Sequence, residues 1–486
     1  MSNTKIATLE PTAVWSFFDQ ILQIPRPSGA EEAINKFLID FARKKKFAYE
    51  QDDAGNILII KPATAGYEDA PALVLQSHMD MVAEKVGTST HNFATDPIEA
   101  YVDGEWVTAN QTTLGADNGI GMAAQLAVLD SVDLPHPRIE ALFTSDEEVG
   151  LSGAFGLKEK WLTGANMMNL DSGEEGIIYV GCAGGGNTTA RLSAHFEQAP
   201  AGLFFCKLSV SNLNGGHSGC DIHLGYANAI KLLARYLNEL RQRHPIYISE
   251  IDGGNLSNAI PREASATIAV PYAEKERIRI ALNVMLAELD EELHPLDRKL
   301  CITLESTSEK EKVIDPDVTN RLLDMLIALP HGAVAMSQQL PNLVETSNNI
   351  ASLKQSADGT LTVTTSQRSS VASKMRDITH TISTIMRLTG AEVTNREGYP
   401  GWTPNLSSPL LQKTLESYRS CFGEEAEVKS IHAGLECGLI AKKYPSMQII
   451  SFGPTMIDIH SPNERLHIAS VERWWLHMSE IISSLR

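Results

Sequence analysis

The chain has 486 residues, 43% of them apolar, and carries a formal net charge of -19 with a pI near 5.2. That length exceeds one ordinary domain, and an acidic field with no basic stripe excludes nucleic acid as a partner. The opening MSNTKIATLEPTAVW lacks a signal-like apolar core, no window approaches a membrane span, and six scattered cysteines form no Cys-x-x-Cys pair, so a cytoplasmic protein with reduced thiols is expected.

In chain order, helical spacing covers Ala13 to Ile24 and Ala30 to Lys45, and an apolar run predicts a strand over Ala72 to Gln76. A helix over Ile120 to Asp130 and strands over Ile139 to Thr144 and Met167 to Leu170 follow. This alternation predicts an α/β fold with a mostly parallel mixed sheet. Gly184, Gly185 and Gly186 then punctuate the chain; no Gly-Lys-Ser/Thr follows, so a hinge is expected rather than a phosphate cradle. Beyond them come a strand (Phe204 to Val210), a helix (Tyr226 to Arg241), two strands (Ile246 to Glu250, Ala264 to Val270), a helix (Glu274 to Leu293) and a strand (Leu300 to Glu305), in the order of a ferredoxin-type split βαβ unit. Further βαβ-like material follows: helices at Pro316 to Leu329 and Val371 to Leu388, and strands at Leu343 to Leu353, Leu361 to Thr365 and Ala391 to Asn395. The α/β style then returns with a helix at Ser408 to Cys421, a strand at Met447 to Phe452 and a terminal helix at Val471 to Leu485. Residues 1–185 and 399–486 are therefore expected to build one domain, and 186–398 an inserted α+β domain.

Four segments share one grammar, in which an apolar strand-like run ends and a metal-competent side chain follows at once. They read LVLQSHMD (His78, Asp80), ALFTSDEE (Glu147, Glu148), MMNLD (Asp171) and IISFGPTMIDIH (His460). Ligands of open α/β sheets collect beyond the carboxyl ends of the strands, so the four segments are placed to converge. Asp117 joins them from TTLGADNGIG, where Gly115 and Gly119 permit a close-approaching backbone. Two histidines and three carboxylates suit borderline or hard divalent ions such as zinc or manganese. Two ions need a shared carboxylate, and Asp117 is the natural bridge: His78 and Asp171 complete one set, Glu148 and His460 the other. Asp80, two residues after His78 on an extended segment, can accept the spare imidazole proton. Glu147 and Glu148 point apart if the backbone there is extended, leaving Glu147 as general base for hydrolysis of an amide. A single histidine after a strand, or one Asp-Glu-Glu run, is usually structural; the combination at successive strand ends is what points to catalysis.

At these residues, and in IPRPSGAEE, TSDEEVGLSGA, NLDSGEEG and NGGHSGCDIHLGYANA, the whole chain resembles the co-catalytic dizinc metallopeptidases, a family that includes peptidase T, aminoacylase and carnosine-type dipeptidases. Within it the likeness is to members acting on aminoacyl-histidine dipeptides. The resemblance implies a zinc-aminopeptidase-like catalytic domain and an inserted lid that also mediates homodimerisation. It implies two divalent ions per subunit, zinc with cobalt or manganese as substitutes, and unblocked dipeptides such as carnosine as substrates. It gives His217 in GGHSG the role of stabilising the tetrahedral intermediate, from its own or a neighbouring subunit, and gives Asn258 in SNAIP and Arg368 in TSQRSS substrate contacts. In IHAGLECG, His432 and Glu436 are further substrate-site candidates; a carboxylate there either binds a free amino terminus or simply starts a helix. A tripeptidase or N-acyl amino acid deacylase would use the same ligands, whereas intact Glu147 and a full ligand set argue against a silent scaffold.

Overall fold

The structure is a computed structural model that describes residues 5–293 and 296–486. The chain divides into two compact units: Met1–Gly181, Pro404–Ser430 and Leu435–Arg486 form the first, and Cys182–Thr403 with Ile431–Gly434 form the second.

In the first unit an eight-stranded sheet runs Ala48–Gln51, Ile57–Lys61, Ile139–Thr144, Leu73–His78, Asn166–Asn169, Gln448–Ser451, Ile177–Cys182, Glu427–Ile431. Its four middle strands are mutually parallel, whereas the hairpin of the first two strands, the pairing of the second with Ile139–Thr144 and the Ser451 to Tyr179 pairing are antiparallel. The sheet is thus mixed, and the site is built on its parallel middle strands. Leu73–His78 and Ile139–Thr144 are buried at every position, as strands covered on both faces are, and Gln76, Ser77, Glu140 and Thr144 are buried among their apolar residues. Helix Ala116–Asp130, rich in alanine, is buried from Asn118 to Leu129 and packs in one core with Trp15 and Phe18 of helix Thr12–Leu22 and with Trp474 and Ile481 of helix Ile468–Ser484. A separate antiparallel sheet, in the order Met456–Ile457, Arg465–His467, Trp106–Ala109, Ala100–Asp103, stitches the late chain to residues just before Asp117.

The second unit is built on a nine-stranded sheet. One half runs Cys301–Ser306, Leu203–Ser211, Ala264–Pro271, Tyr247–Gly253, with helices Ala229–Arg243 and Lys275–Leu293 as its crossovers. This is the expected split βαβ order. The other half runs Val344–Gln355, Thr360–Ser369, Gly184–Ser193, Glu392–Glu397, with helices Pro316–Ala328 and Ala372–Leu388. Its strands follow the same order in reverse, so the unit holds two such motifs side by side, joined where Gly253 pairs with Leu353. The glycine triplet is not a hinge. Gly184, Gly185 and Gly186 open a strand and pair with Ser369, Arg368 and Gln367, and a Cβ on Gly185 would press within 3.0 Å of the Tyr399 ring. A run without side chains carries no burial alternation, which is why this strand leaves no periodic trace in the sequence.

Candidate metal centre

The parallel strands of the first unit end together, and their next residues carry the chemistry. His78 closes Leu73–His78, Glu147 and Glu148 follow Ile139–Thr144, and Asp171 follows Asn166–Asn169. Asp117 and Asn118 leave helical geometry near the start of helix Ala116–Asp130, so Asp117 stands just ahead of its regular turns, as expected. The side chains meet in two groups that share Asp117. His78 Nε2 lies 3.0 Å from Asp117 Oδ1 and 3.5 Å from Asp171 Oδ1. His460 Nε2 lies 3.1 Å from Asp117 Oδ2 and 3.0 Å from Glu148 Oε1. Each trio keeps its ligand atoms within 4.8 Å of one another, and Glu147 forms a further trio with His78 and Glu148.

The donor set fits divalent ions. Two ligands about 2.0–2.1 Å from a tetrahedral zinc are roughly 3.3 Å apart, and the observed nitrogen to oxygen separations of 3.0 to 3.5 Å span that value. Electrostatics agree. Burial, with Asp171, Glu436 and Glu148 nearby, pushes the Glu147 carboxyl well above the usual range against the pull of His78, and burial likewise raises Glu148 and Asp171. Hydrogen bonds to Asp117 and Glu148 lift His460 to about 10. So many half-buried carboxylates hold protons or borrow imidazolium charge when no cation is present, and a pair of dications relieves them.

Asp80 anchors both strand tips. Its Oδ1 lies 3.3 Å from His78 Nδ1 and accepts from the Glu147 amide at 3.0 Å; its Oδ2 accepts from Ser28 Oγ at 2.7 Å and from the Glu148 amide at 3.1 Å. Burial opposes its charge, but these donors outweigh burial and hold the carboxyl well below the usual range. The Glu147–Glu148 segment is not extended as the sequence reading assumed: Gly150 and Leu151 amides fold back onto the Glu147 carbonyl at 3.1 and 2.8 Å. A turn, held from behind by Asp80, sets the direction of the two carboxylates. Asn118 Nδ2 donates to the Asp171 carboxylate and to the Leu170 carbonyl.

Glu436 starts helix Glu436–Lys443 and is wholly buried. Its Oε2 accepts from Gln76 Nε2 at 2.6 Å and Thr144 Oγ1 at 2.8 Å, and burial raises its carboxyl to about 7. The row continues through Asn169 Nδ2 to Gln76 Oε1 and Ser451 Oγ to Asn169 Oδ1, each 2.5 Å, so one polar side chain from each parallel strand joins a hydrogen-bonded line near the strand ends. The sequence reading missed this row, as it missed Arg26 and Glu464, which contact the backbone around Gly115. All three hide behind polar residues in apolar or glycine-rich contexts.

The remaining candidates lie in the second unit. His217 Nδ1 accepts from the amides of Gly219 and Cys220 at 3.3 and 3.0 Å, which places the neutral ring's proton on Nε2. Burial, then the charge of Arg368, lowers the His217 pKa and keeps the ring neutral. Arg368 Nη2 sits 3.5 Å from that Nε2, and its Nη1 donates to Tyr399 Oη at 2.8 Å. Asn258 neighbours them through its carbonyl, which accepts from the Ser218 amide at 2.7 Å. His432, buried and pushed down to about 3 by desolvation and Arg368, lies 2.8 Å from Ser347 Oγ. His432 and Glu436, four apart in sequence, thus belong to different units.

The pattern of peptidase family M20/M25/M40 matches residues 74–483. The cytosol non-specific dipeptidase of Escherichia coli (strain K12) is 40% identical over 482 residues, 99% of each chain. Among solved structures, an aminoacylhistidine dipeptidase from Vibrio alginolyticus superposes with a TM-score of 0.93 at 39% identity, covering 100% of this chain and 99% of that one. A tripeptidase from Staphylococcus aureus subsp. aureus Mu50 shares the fold at TM-score 0.55 and 18% identity, with 98% and 99% of the chains covered. The family match spans most of the sequence and the bacterial relative nearly all of it, and this chain belongs to peptidase family M20/M25/M40.

Proposed function

We propose that this peptidase is a cytosolic dipeptidase that works with two divalent ions, zinc by preference, and hydrolyses unblocked dipeptides, aminoacyl-histidine dipeptides such as carnosine among them. The observation that carries the reading is the sharing of one carboxylate, Asp117, by two three-residue ligand groups. Names of similar proteins support the substrate class: one is a non-specific dipeptidase and another an aminoacylhistidine dipeptidase.

In this reading His78 and Asp171 hold one ion, Glu148 and His460 the other, and Asp117 both. When bound, such ions polarise the scissile carbonyl and lower the pKa of water. The chain's own residues do the rest. Glu147 takes a proton at its carboxylate and delivers it to the leaving amine. Asp80 keeps the His78 ring and the Glu147 turn in register. His217 Nε2–H and the Arg368 guanidinium are paired donors, suited to an oxyanion or a peptide carboxylate, with Asn258 beside them. Glu436, closed in on Gln76 and Thr144, supports the strand tips from beneath rather than meeting substrate. A homodimer, which the resemblance of the sequence to its family implies, belongs to the same reading.

The test is a substrate panel on zinc-loaded protein comparing alanyl-histidine, β-alanyl-histidine, other dipeptides, tripeptides and N-acetyl amino acids, with metal content measured in parallel. Dipeptides should lead in kcat/KM. A tenfold preference for tripeptides or acylated amino acids would replace the proposed substrate class.

A further inference from the structure

Glu464 stands four residues after His460 and is 2% exposed. Its Oε2 accepts from the amides of Leu114 and Gly115 at 2.8 and 3.0 Å, and its Oε1 from those of Ala116 and Asp117 at 2.8 and 3.3 Å. Four consecutive amides therefore converge on one carboxylate. Its backbone is tethered too, because Thr108 Oγ1 donates to the Glu464 carbonyl at 2.8 Å and Arg465 pairs with Thr108 in the small antiparallel sheet.

Arg26 grips the same loop by its carbonyl side. Its guanidinium is buried and donates from Nη2 to the Gly115 carbonyl and from Nη1 to the carbonyls of Met79 and Asp80, at 2.9 and 2.7 Å. Gly115 and Gly119 make room for it: a Cβ at either position would lie within 2.8 Å of Arg26 Nη2. A connected path thus runs from the His78 turn through Arg26 to the Asp117 loop, and from that loop through Glu464 to the His460 segment.

We propose that Glu464 is a positioning residue: its carboxylate locks the shared ligand Asp117 to the His460 segment and, with Arg26 on the loop's other side, sets the spacing of the two metal positions. Helix capping alone does not account for the arrangement. Capping needs a side chain on a helix's first amides, whereas here the cap comes from residues 347–350 positions away that also carry a ligand to the same centre. A buried carboxylate and a buried guanidinium are costly to desolvate, and they persist where their hydrogen bonds are complete and fix one geometry out of several.

The inference rests on the two-ion reading, and the experiment separates the two. Metal-free protein and its Glu464→Gln variant are titrated with zinc against a chromophoric chelator, and kcat, KM and the melting temperature of the metal-free forms are recorded. Glutamine keeps the shape but presents an NH2 to two of the four amides. The expected result is two ions bound by the unsubstituted protein and, in the variant, affinity for at least one ion reduced about 10- to 100-fold, with kcat lowered and KM within twofold. Fewer than two ions bound by the unsubstituted protein would end the two-ion reading itself. Two ions bound by a folded variant with affinities and kcat within twofold of the unsubstituted protein, whatever its melting temperature, would overturn the positioning role. If Glu464→Gln does not fold, Thr108→Val, which removes only the tether on the Glu464 carbonyl, takes its place: a several-fold loss of affinity for one ion supports the proposal, and unchanged affinities overturn it.

Discussion

Replacing Asp80 by asparagine isolates what the carboxylate behind the proposed metal ligands contributes. Asp80 serves four donors, two on each oxygen. An asparagine keeps one acceptor oxygen and turns an NH2 towards the other two donors. Ser28 can rotate its hydroxyl and accept; a backbone amide cannot, so in either orientation at least one amide of Glu147 or Glu148, or the His78 ring, faces a donor. One charge-assisted bond lost outright is worth about 1.5–3 kcal/mol, and loss of the charge weakens those that remain, giving about 3 kcal/mol in all. Because these contacts orient His78 and the Glu147–Glu148 turn, the cost should appear in metal affinity as roughly two powers of ten, at the upper end for groups that support a ligand. Zinc titration of metal-free Asp80→Asn protein against a competing chelator reads this directly, with circular dichroism to establish folding. Affinity within threefold of the unsubstituted protein, together with unchanged kcat, would refute the role assigned to Asp80.

Glu147→Gln should lower kcat by about 10²- to 10⁴-fold with both ions retained, since it removes the proton acceptor but preserves shape; elemental analysis alongside the rate checks this. Asp117→Ala should release both ions on dialysis, because each ligand group loses the member it shares, and retention of two equivalents would assign the bridge elsewhere. His217→Ala should reduce kcat about 10²- to 10³-fold without loss of metal, and if the residue serves a neighbouring subunit, mixing His217→Ala with Glu147→Gln protein under exchange conditions should restore part of the activity. His477, buried against Tyr418 and Phe452 with Nε2 donating to the Thr414 carbonyl at 2.9 Å, is pushed down by burial to about 4. Its folded value lies below the unfolded one, so its contribution is complete above pH ~6.5 and is lost as pH falls towards 4; at pH 5 the loss is about 2 kcal/mol. Urea unfolding of the metal-free protein at pH 7 and pH 5 should show this loss, and His477→Gln should abolish that part of the pH dependence.

Residue identity and local rhythm pointed to the candidate ligands, since an apolar run opens a strand buried on both faces, and a histidine or carboxylate placed after it marks the sheet edge where sites form. His78, Glu148 and Asp171 stand out as candidates for that reason, Asp117 through its flanking glycines, and the split βαβ order of residues 203–306 was legible because its helices alternate cleanly with strands. Other features left no local trace. Gly184–Ser193 reads as punctuation because its first residues have no side chains to alternate, and only its partners Thr360–Ser369 and Glu392–Glu397 make it a strand. Arg26 looked like one more polar residue in IPRPSGAEE, and Glu464 like a solvated charge after a turn; each acquires its role from backbone groups 53 to 350 residues away. Periodicity records whether a residue is buried, because burial repeats with the turn of a helix or the pleat of a strand. It does not record which buried donor meets which acceptor, and the two oxygens of Asp117, one towards His78 and the other towards His460, were decided only when the folded chain brought those loops together.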